Sequence, residues 1–317
     1  MTATISVVVP AYNHERFVGE TIRSLVTQTR QPDELIVVDD ASTDHTWDEI
    51  QRCVPSIPFP IITRRHTKNA GLASTLNDAL SSAQSDFVAL VASDDTYPPD
   101  KIESQLAFLV AHPEFGAVYG DLAIMNEFGE HVRVDRPLTR ELNVSPREGF
   151  AEVSLEEVAL GRSGASNQTA VFRRAIVAAI GGFDENLILE DFDFVLRLLR
   201  TARAAHLFQP GANYRTLASG FNRRFREFDH EYEISLSKHR SFLETRGVSW
   251  STVLGANWLR RANTRLNADD QAGALYCSVR SLIEAPKNPA AWKCAAQSCV
   301  PAPIRRGLRR VLRGSGH

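Results

Sequence analysis

Apolar residues recur along this chain in two alternating rhythms. Ile5-Ser6-Val7-Val8-Val9-Pro10 is a short β-branched run, the mark of a strand, and the proline is expected to stop it. From Glu15 to Thr29 the apolar positions Phe17, Ile22, Leu25 and Val26 fall at helical spacing. The alternation then repeats. Leu35–Val38 reads as a strand and Asp44–Arg52 as a helix. Ile61–Thr63 reads as a strand, and Gly71–Ser82 as a helix with Leu72, Leu76, Ala79 and Leu80 on one face. Phe87–Val91 is a fourth strand, and Pro98-Pro99 opens a helix through Ile102, Leu106 and Leu109. This order predicts an α/β fold, a mostly parallel sheet flanked by helices.

Further on, Ala117–Met125 and His131–Val134 read as strands joined by the turn Glu127-Phe128-Gly129. Residues 136–147 show no period and read as a loop. Thr169–Phe172 is a short strand. Arg174–Ile180 is a helix closed by Gly181-Gly182. Asp191–Ala202 is a helix and His206–Phe208 a strand. After about residue 225 strand signals fade, and helical stretches follow near 231–245, 253–267, 270–284 and 292–300. The expected organisation is an α/β catalytic domain over 1–225 and a helical C-terminal region over 226–317.

Composition narrows the class. The 317 residues are 43% hydrophobic and 23% charged, enough for a core. A net charge of −2 gives no case for nucleic acid as a partner. The four cysteines form no CxxC pair, which argues against zinc ribbons and thioredoxin chemistry. They are expected to be reduced, mostly buried thiols. The N-terminus enters a strand almost at once, unlike a signal peptide. No apolar run approaches the roughly 18 residues of a spanning helix. A cytoplasmic protein is expected.

Acidic residues cluster where strands end. Asp39-Asp40 closes the second apolar run and Asp94-Asp95 follows the fourth. Ligands of open α/β sheets sit beyond the carboxyl ends of strands. Tyr12, just past the first strand, can lay its ring on a planar base, and Asp40 can accept a hydrogen bond from a ring N–H such as a uracil or thymine imide. The alternative for Asp40 is a cap on the next helix. Asp94 and Asp95 suit Mg²⁺ or Mn²⁺, which take one or two carboxylates and leave the remaining positions to phosphates; a polar turn is the alternative. Glu190 and Asp191 open an apolar helix, where carboxylates are stabilised in any case. Either is a candidate general base. Asp193 has Arg197 four residues on and reads as structural.

Six blocks in order carry a resemblance: SVVVPAYNHERFVGETIRSLVTQT at 6–29, LIVVDDASTDHT at 35–46, NAGLASTLNDAL at 69–80, SDDTYPPDKIE at 93–103, VFRRAIVAAIGGFDE at 171–185 and LEDFDFVLRL at 189–198. Over about residues 4–220 the chain resembles family 2 glycosyltransferases, whose GT-A fold is a Rossmann-like, mostly parallel sheet. The resemblance implies an inverting transfer of one sugar from a nucleotide-diphosphate donor to a glycan or lipid-linked acceptor, in cell-surface polysaccharide synthesis. It implies that Pro10, Ala11, Tyr12 and Asp40 meet the nucleotide base, and that Asn69 and Gly71 belong to the donor pocket. Asp94 would meet the ribose or a metal water, Asp95 would bind Mn²⁺ or Mg²⁺, and Asp191 would be the catalytic base. An imide held by a carboxylate favours UDP or dTDP.

Two features depart from the pattern. Ala92 stands where many relatives have an aspartate, and the QxxRW signature of processive synthases is missing. Ala92 leaves the metal site resting on Asp94 and Asp95, and the missing QxxRW signature, with no spanning run, leads to the expectation of single-sugar transfer. The rivals are a catalytically silent sugar-nucleotide binder and a nucleotidyltransferase of the same fold; the latter resembles its relatives by a Gly-rich loop that Pro10-Ala11-Tyr12-Asn13 does not provide. Tyr214-Arg215-Thr216, with Arg223 and Arg224, falls where relatives often place a mobile loop over the diphosphate; a solvated charge run is the alternative. His206 and His230 read as incidental, and Trp258 and Trp292 as core. In the tail, Ile304, Leu308, Val311 and Leu312 share one helical face and five arginines lie elsewhere. Residues 301–317 are either a peripheral helix on an anionic bilayer or a frayed basic tail.

Overall fold

Buried strands are the first consequence of those apolar runs. In a computed structural model, which describes residues 3–135, 149–163, 165–217 and 225–301, four parallel strands form one side of a sheet. They are β1 (Ile5–Ala11), β2 (Glu34–Asp39), β3 (Ile61–Arg65) and β4 (Phe87–Leu90). The other strands are β5 (Phe115–Met125), β6 (His131–Asp135), β7 (Phe150–Val153), β8 (Val171–Arg173) and β9 (Arg203–Arg215). The nine-stranded order is β3-β2-β1-β4-β8-β5-β9-β7, with β6 on β5. β8 is antiparallel to β4 and β5, and β9 runs parallel to β5. Ile5, Val7 and Val9 pack with Val18, Ile22 and Leu25 of α1 (Val18–Val26) and with Ile102, Leu106 and Leu109 of α4 (Lys101–Ala111). α3 (Leu72–Ser82) also packs on β1 and β2. Both faces are covered over β1, β2 and β4, which is why those strands are almost continuously apolar, whereas β3 at the sheet edge is half-exposed.

Proline does not stop β1. Pro10 stays in register with Val38, and Ala11 with Asp39. The Ala11 carbonyl accepts from Asp40 N on the β2 side, whereas Val8 accepts from Val91 N on the β4 side. Pro10 therefore turns its missing N–H towards β4, which has already ended at Leu90. A second difference is β9, expected as three residues and observed as thirteen. Register shifts opposite Asp121 absorb Pro210-Gly211. β7 and the short helix Leu155–Ala159 are additions. Arg223, Arg224, the 136–147 loop and the tail after Pro301 lie outside the described residues.

The chain divides into two compact units, Met1–Val158 with Arg162–Phe221, and Ala159–Gly161 with Asn222–His317. The second unit is helical: α8 (Phe225–Ser237), α9 (Arg240–Thr245), α10 (Trp250–Asn267), α11 (Gln271–Glu284) and α12 (Pro289–Ser298). Ser249, Asp270 and Asn288 cap the last three through main-chain N–H groups. Trp258, Leu266, Cys277 and Cys294 lie in its core. Trp292 is exposed instead of buried and donates its indole N–H to Pro286 O at 2.9 Å. Cys53 is half-buried and Cys299 exposed, so only two of the four thiols are buried.

Gly120 and Gly211 sit where β5 and β9 cross the segment before β8. A Cβ on Gly211 would run into the Thr169 carbonyl oxygen, and one on Gly120 would lie 2.8 Å from Gln209 O. Gly211→Ala is expected to destabilise the fold by about 1–3 kcal/mol in urea denaturation. A change below about 0.5 kcal/mol would show that the approach is not tight.

Candidate active site

Four turns meet at the carboxyl edge of the sheet. The turns after β1 and β2 are stitched together. Asn13 N donates to Ser42 Oγ at 3.0 Å, and Asn13 Oδ1 accepts from Thr43 N at 2.8 Å. Asn13 (φ 54°) and Ala41 (φ 58°) both lie in the left-handed region, and local strain of this kind is retained where a site needs it. Tyr12 stands 43% exposed at this rim, while Pro10 and Ala11 are buried strand residues. Asp39 is internal, bound to the Ser42 hydroxyl and to Arg65 Nε at 3.1 Å.

Asp40 serves the protein's own backbone. Oδ1 accepts from Ala70 N at 2.7 Å and faces His66 Nδ1 at 2.8 Å, and Oδ2 accepts from Gly71 N at 2.9 Å. Asn69 Nδ2 reaches Asp40 O at 3.4 Å. Asp40 thus gathers Asn69 and Gly71 at the N-terminus of α3 and leaves itself little free acceptor capacity. Burial lowers the His66 pKa, but the hydrogen bonds to Asp40 and Asp78 outweigh it and raise the value overall.

The third turn holds the acidic pair. Buried Thr21 on α1 sets its hydroxyl 3.0 Å from Ser93 O and 2.7 Å from Asp95 O. His14 Nδ1 is 2.8 Å from Ser93 Oγ, and its Nε2 is 3.8 Å from Asp94 Oδ2. Arg215, at the end of β9, closes the turn from the other side. Its main-chain N–H donates to Asp95 Oδ1 at 2.7 Å. Its side chain donates to Asp94 O at 2.8 Å, to Glu127 O at 3.1 Å and to Glu20 Oε2 at 2.7 Å. Asp95 is fully buried, and its Oδ2 has no hydrogen-bond partner. Burial first, and the Asp94 charge second, push its carboxyl well above the usual range, against the opposing Arg215 contact.

The fourth turn carries the other acids. Glu190 is buried and Asp191 is open to solvent at the start of α7 (Glu190–Thr201). Asn167 Nδ2 donates to Asp191 Oδ1 at 2.8 Å. Protein encloses Asp191 on most sides and raises its pKa, opposed by the Asn167 hydrogen bond. Asp193 pairs with Arg197 Nε at 2.6 Å, so it is structural as expected.

β9 links the two acidic turns. Thr96 and Asn213 exchange main-chain hydrogen bonds, Arg215 N holds Asp95, and Gly211 lies against Thr169, two residues from Asn167. Asp95 and the support of Asp191 are therefore anchored within five residues of one strand. At about 3.3 Å per residue that is of order 15 Å. Sequence reasoning missed His14 and Asn167 and misplaced Arg215. Arg215 is neither a loop residue nor a solvated charge but a buried strand end. His206 is also buried and faces Asp121 at 2.9 Å.

Among the described residues no group of three or more His, Cys, Asp or Glu side chains forms a complete metal site. A cation completed by phosphate oxygens needs only one or two carboxylates. The unpartnered Asp95 Oδ2 beside the more accessible Asp94 fits that requirement.

The model of Glycosyl transferase family 2 matches residues 6–180. Putative glycosyltransferase EpsE of Bacillus subtilis is 35% identical over 125 residues, 39% of this chain and 45% of EpsE. UDP-Glc:alpha-D-GlcNAc-diphosphoundecaprenol beta-1,3-glucosyltransferase WfaP of Escherichia coli is 29% identical over 51% of this chain and 62% of WfaP. The chain thus spans about half the length of such relatives. S. aureus TarS 1-349 in complex with UDP superposes with a TM-score of 0.56 at 21% identity, over 90% of this chain and 93% of that one. Mannosyltransferase PcManGT from Pyrobaculum calidifontis, in complex with GDP-Man and Mn²⁺, gives 0.58 at 20% identity over 97% and 83%. At these identities the structural likeness shows the fold.

Asp95 makes stability depend on pH. The unfolded chain titrates this carboxyl at its ordinary value and the folded chain at a higher one, so between the two values the folded state binds the extra proton and loses stability as pH rises. The stability of Asp95→Asn relative to wild type, from urea denaturation at a series of pH values, should therefore increase with pH. A difference constant across pH would show that Asp95 is not strained by its charge.

Proposed function

Because the chain belongs to glycosyl transferase family 2, we propose that it moves one sugar from a nucleotide-diphosphate donor to an acceptor hydroxyl, with inversion at the anomeric carbon. The observation that carries this reading is the pair of carboxylates of opposite character on one sheet edge. Asp95 is sealed with an unpartnered oxygen, and Asp191 is open to solvent and aimed by Asn167.

The proposed roles follow from those environments. Asp191 accepts the proton of the acceptor hydroxyl while that oxygen bonds to the anomeric carbon. The bond from that carbon to the diphosphate breaks on the opposite face, and the diphosphate takes the electron pair. A base with a raised pKa accepts a proton better near neutrality. Glu190, buried beside it, is the weaker candidate for the role. Asp95 and Asp94 would hold Mn²⁺ or Mg²⁺, which neutralises charge on the leaving diphosphate when bound. The Mn²⁺ named with PcManGT supports a divalent cation.

Tyr12 supplies the exposed ring for the base, and Asn69 and Gly71 border the donor pocket. Asp40 positions those two residues and keeps at most a single lone pair for an imide. The UDP named with TarS and the UDP-Glc in WfaP's name support a uridine donor. WfaP's acceptor supports a lipid-linked glycan and a place in surface-polysaccharide synthesis. No helix among the described residues is long and apolar enough to cross a membrane. Residues 301–317 would then bring the protein to a bilayer carrying the acceptor.

Asp191→Asn should reduce transfer by about 10²–10⁴-fold while nucleotide affinity is unchanged. Retained turnover would move the base role to Glu190. Asp95→Ala should weaken Mn²⁺-dependent nucleotide binding in calorimetry, and an unchanged metal dependence would contradict its role. Nucleoside-diphosphate release that requires acceptor separates a transferase from a silent binder.

A further inference from the structure

Charge is distributed very unevenly along this chain. Residues 271–317 contain eight Lys and Arg against one acid, Glu284, a net of +7, so the preceding 270 residues carry −9 of the total −2. The same segment exposes apolar side chains. Leu275, Val279 and Ile283 recur every four residues of α11, which places them on one stripe. All three are exposed, Ile283 at 68%. Trp292 of α12, the helix that packs beside α11, is 60% exposed. The opposite side of α11 is buried through Ala274, Cys277 and Ser281. Core packing therefore does not explain the stripe.

We propose that this face of α11 docks onto an anionic phospholipid bilayer. Charge selects that occupant. A segment with net +7, five of whose basic residues belong to the tail that follows α12 in sequence, is attracted to anionic headgroups, each basic residue adding to the attraction. A two-fold contact of this face with itself would set one basic segment against another. Aliphatic side chains that enter the acyl boundary, with a tryptophan at headgroup depth, match how interfacial helices bind. The inference rests on the bilayer contact proposed for the tail and adds a second, folded contact to it. It leaves the sheet edge and its chemistry untouched.

Full-length protein is sedimented with vesicles of phosphatidylcholine alone or mixed with phosphatidylglycerol. Wild type is expected to bind the anionic vesicles, less so at high salt, and the indole emission to shift to the blue. The shift should be lost in Trp292→Phe. The double substitution Val279→Gln and Ile283→Gln, both on the surface, should weaken binding by about tenfold or more with circular dichroism and nucleotide affinity unchanged. A second chain has Arg305, Arg306, Arg309, Arg310 and Arg313 all replaced by Gln. If that chain fails to bind while the double variant binds like wild type, the tail is the sole contact and the α11 face is overturned. Absence of wild-type binding overturns both contacts. A wild-type dimer that the double variant dissociates, with vesicle binding unchanged, makes the stripe a protein interface and also overturns the proposal.

Discussion

A carboxylate out of reach of water has to be held by something, and at Asp95 the holder is the main-chain N–H of Arg215. That hydrogen bond satisfies one oxygen and leaves the other without a partner. Burial without full compensation is costly. The surrounding structure absorbs that cost. Thr21 fixes the turn from α1, and Thr96 pairs with Asn213. The Arg215 guanidinium ties the turn to Glu20, with Phe17 4.9 Å beneath it. Removing any of these would loosen a carboxylate whose value lies in being poised.

The same strand that seals Asp95 also reaches the segment supporting Asp191. Gly211 allows Thr169 to lie directly on β9, and Thr169 brings Asn167 to the sheet edge. The two acids are 96 positions apart in sequence and are set by neighbouring stretches of one strand. Their environments differ as their proposed tasks do. The sealed acid suits a cation and the open one an incoming hydroxyl.

Much of this was legible in the sequence. β1, β2 and β4 stand out because strands buried on both faces must be apolar almost throughout, and the acids that follow β2 and β4 share one edge because those strands run parallel. The family blocks also pointed to Asp191 as the candidate base. What escaped is whatever depends on partners distant in sequence. Pro210-Gly211 reads as a break because its accommodation depends on a shift in β5. Arg215 looks like a surface cation because its four acceptors come from three other segments. Asp40 looks free to take a ligand because the amides of Ala70 and Gly71 lie thirty residues away. Trp292 looks apolar enough for a core, yet its helix turns it outward.

Anomalous diffraction from crystals grown with Mn²⁺ and a uridine-diphosphate donor tests the account most directly. A manganese peak within about 2.2 Å of an Asp95 carboxylate oxygen, with Asp191 facing the anomeric carbon from the side opposite the diphosphate, is the predicted result. A peak away from Asp95, or Asp191 on the diphosphate side of the sugar, would contradict it.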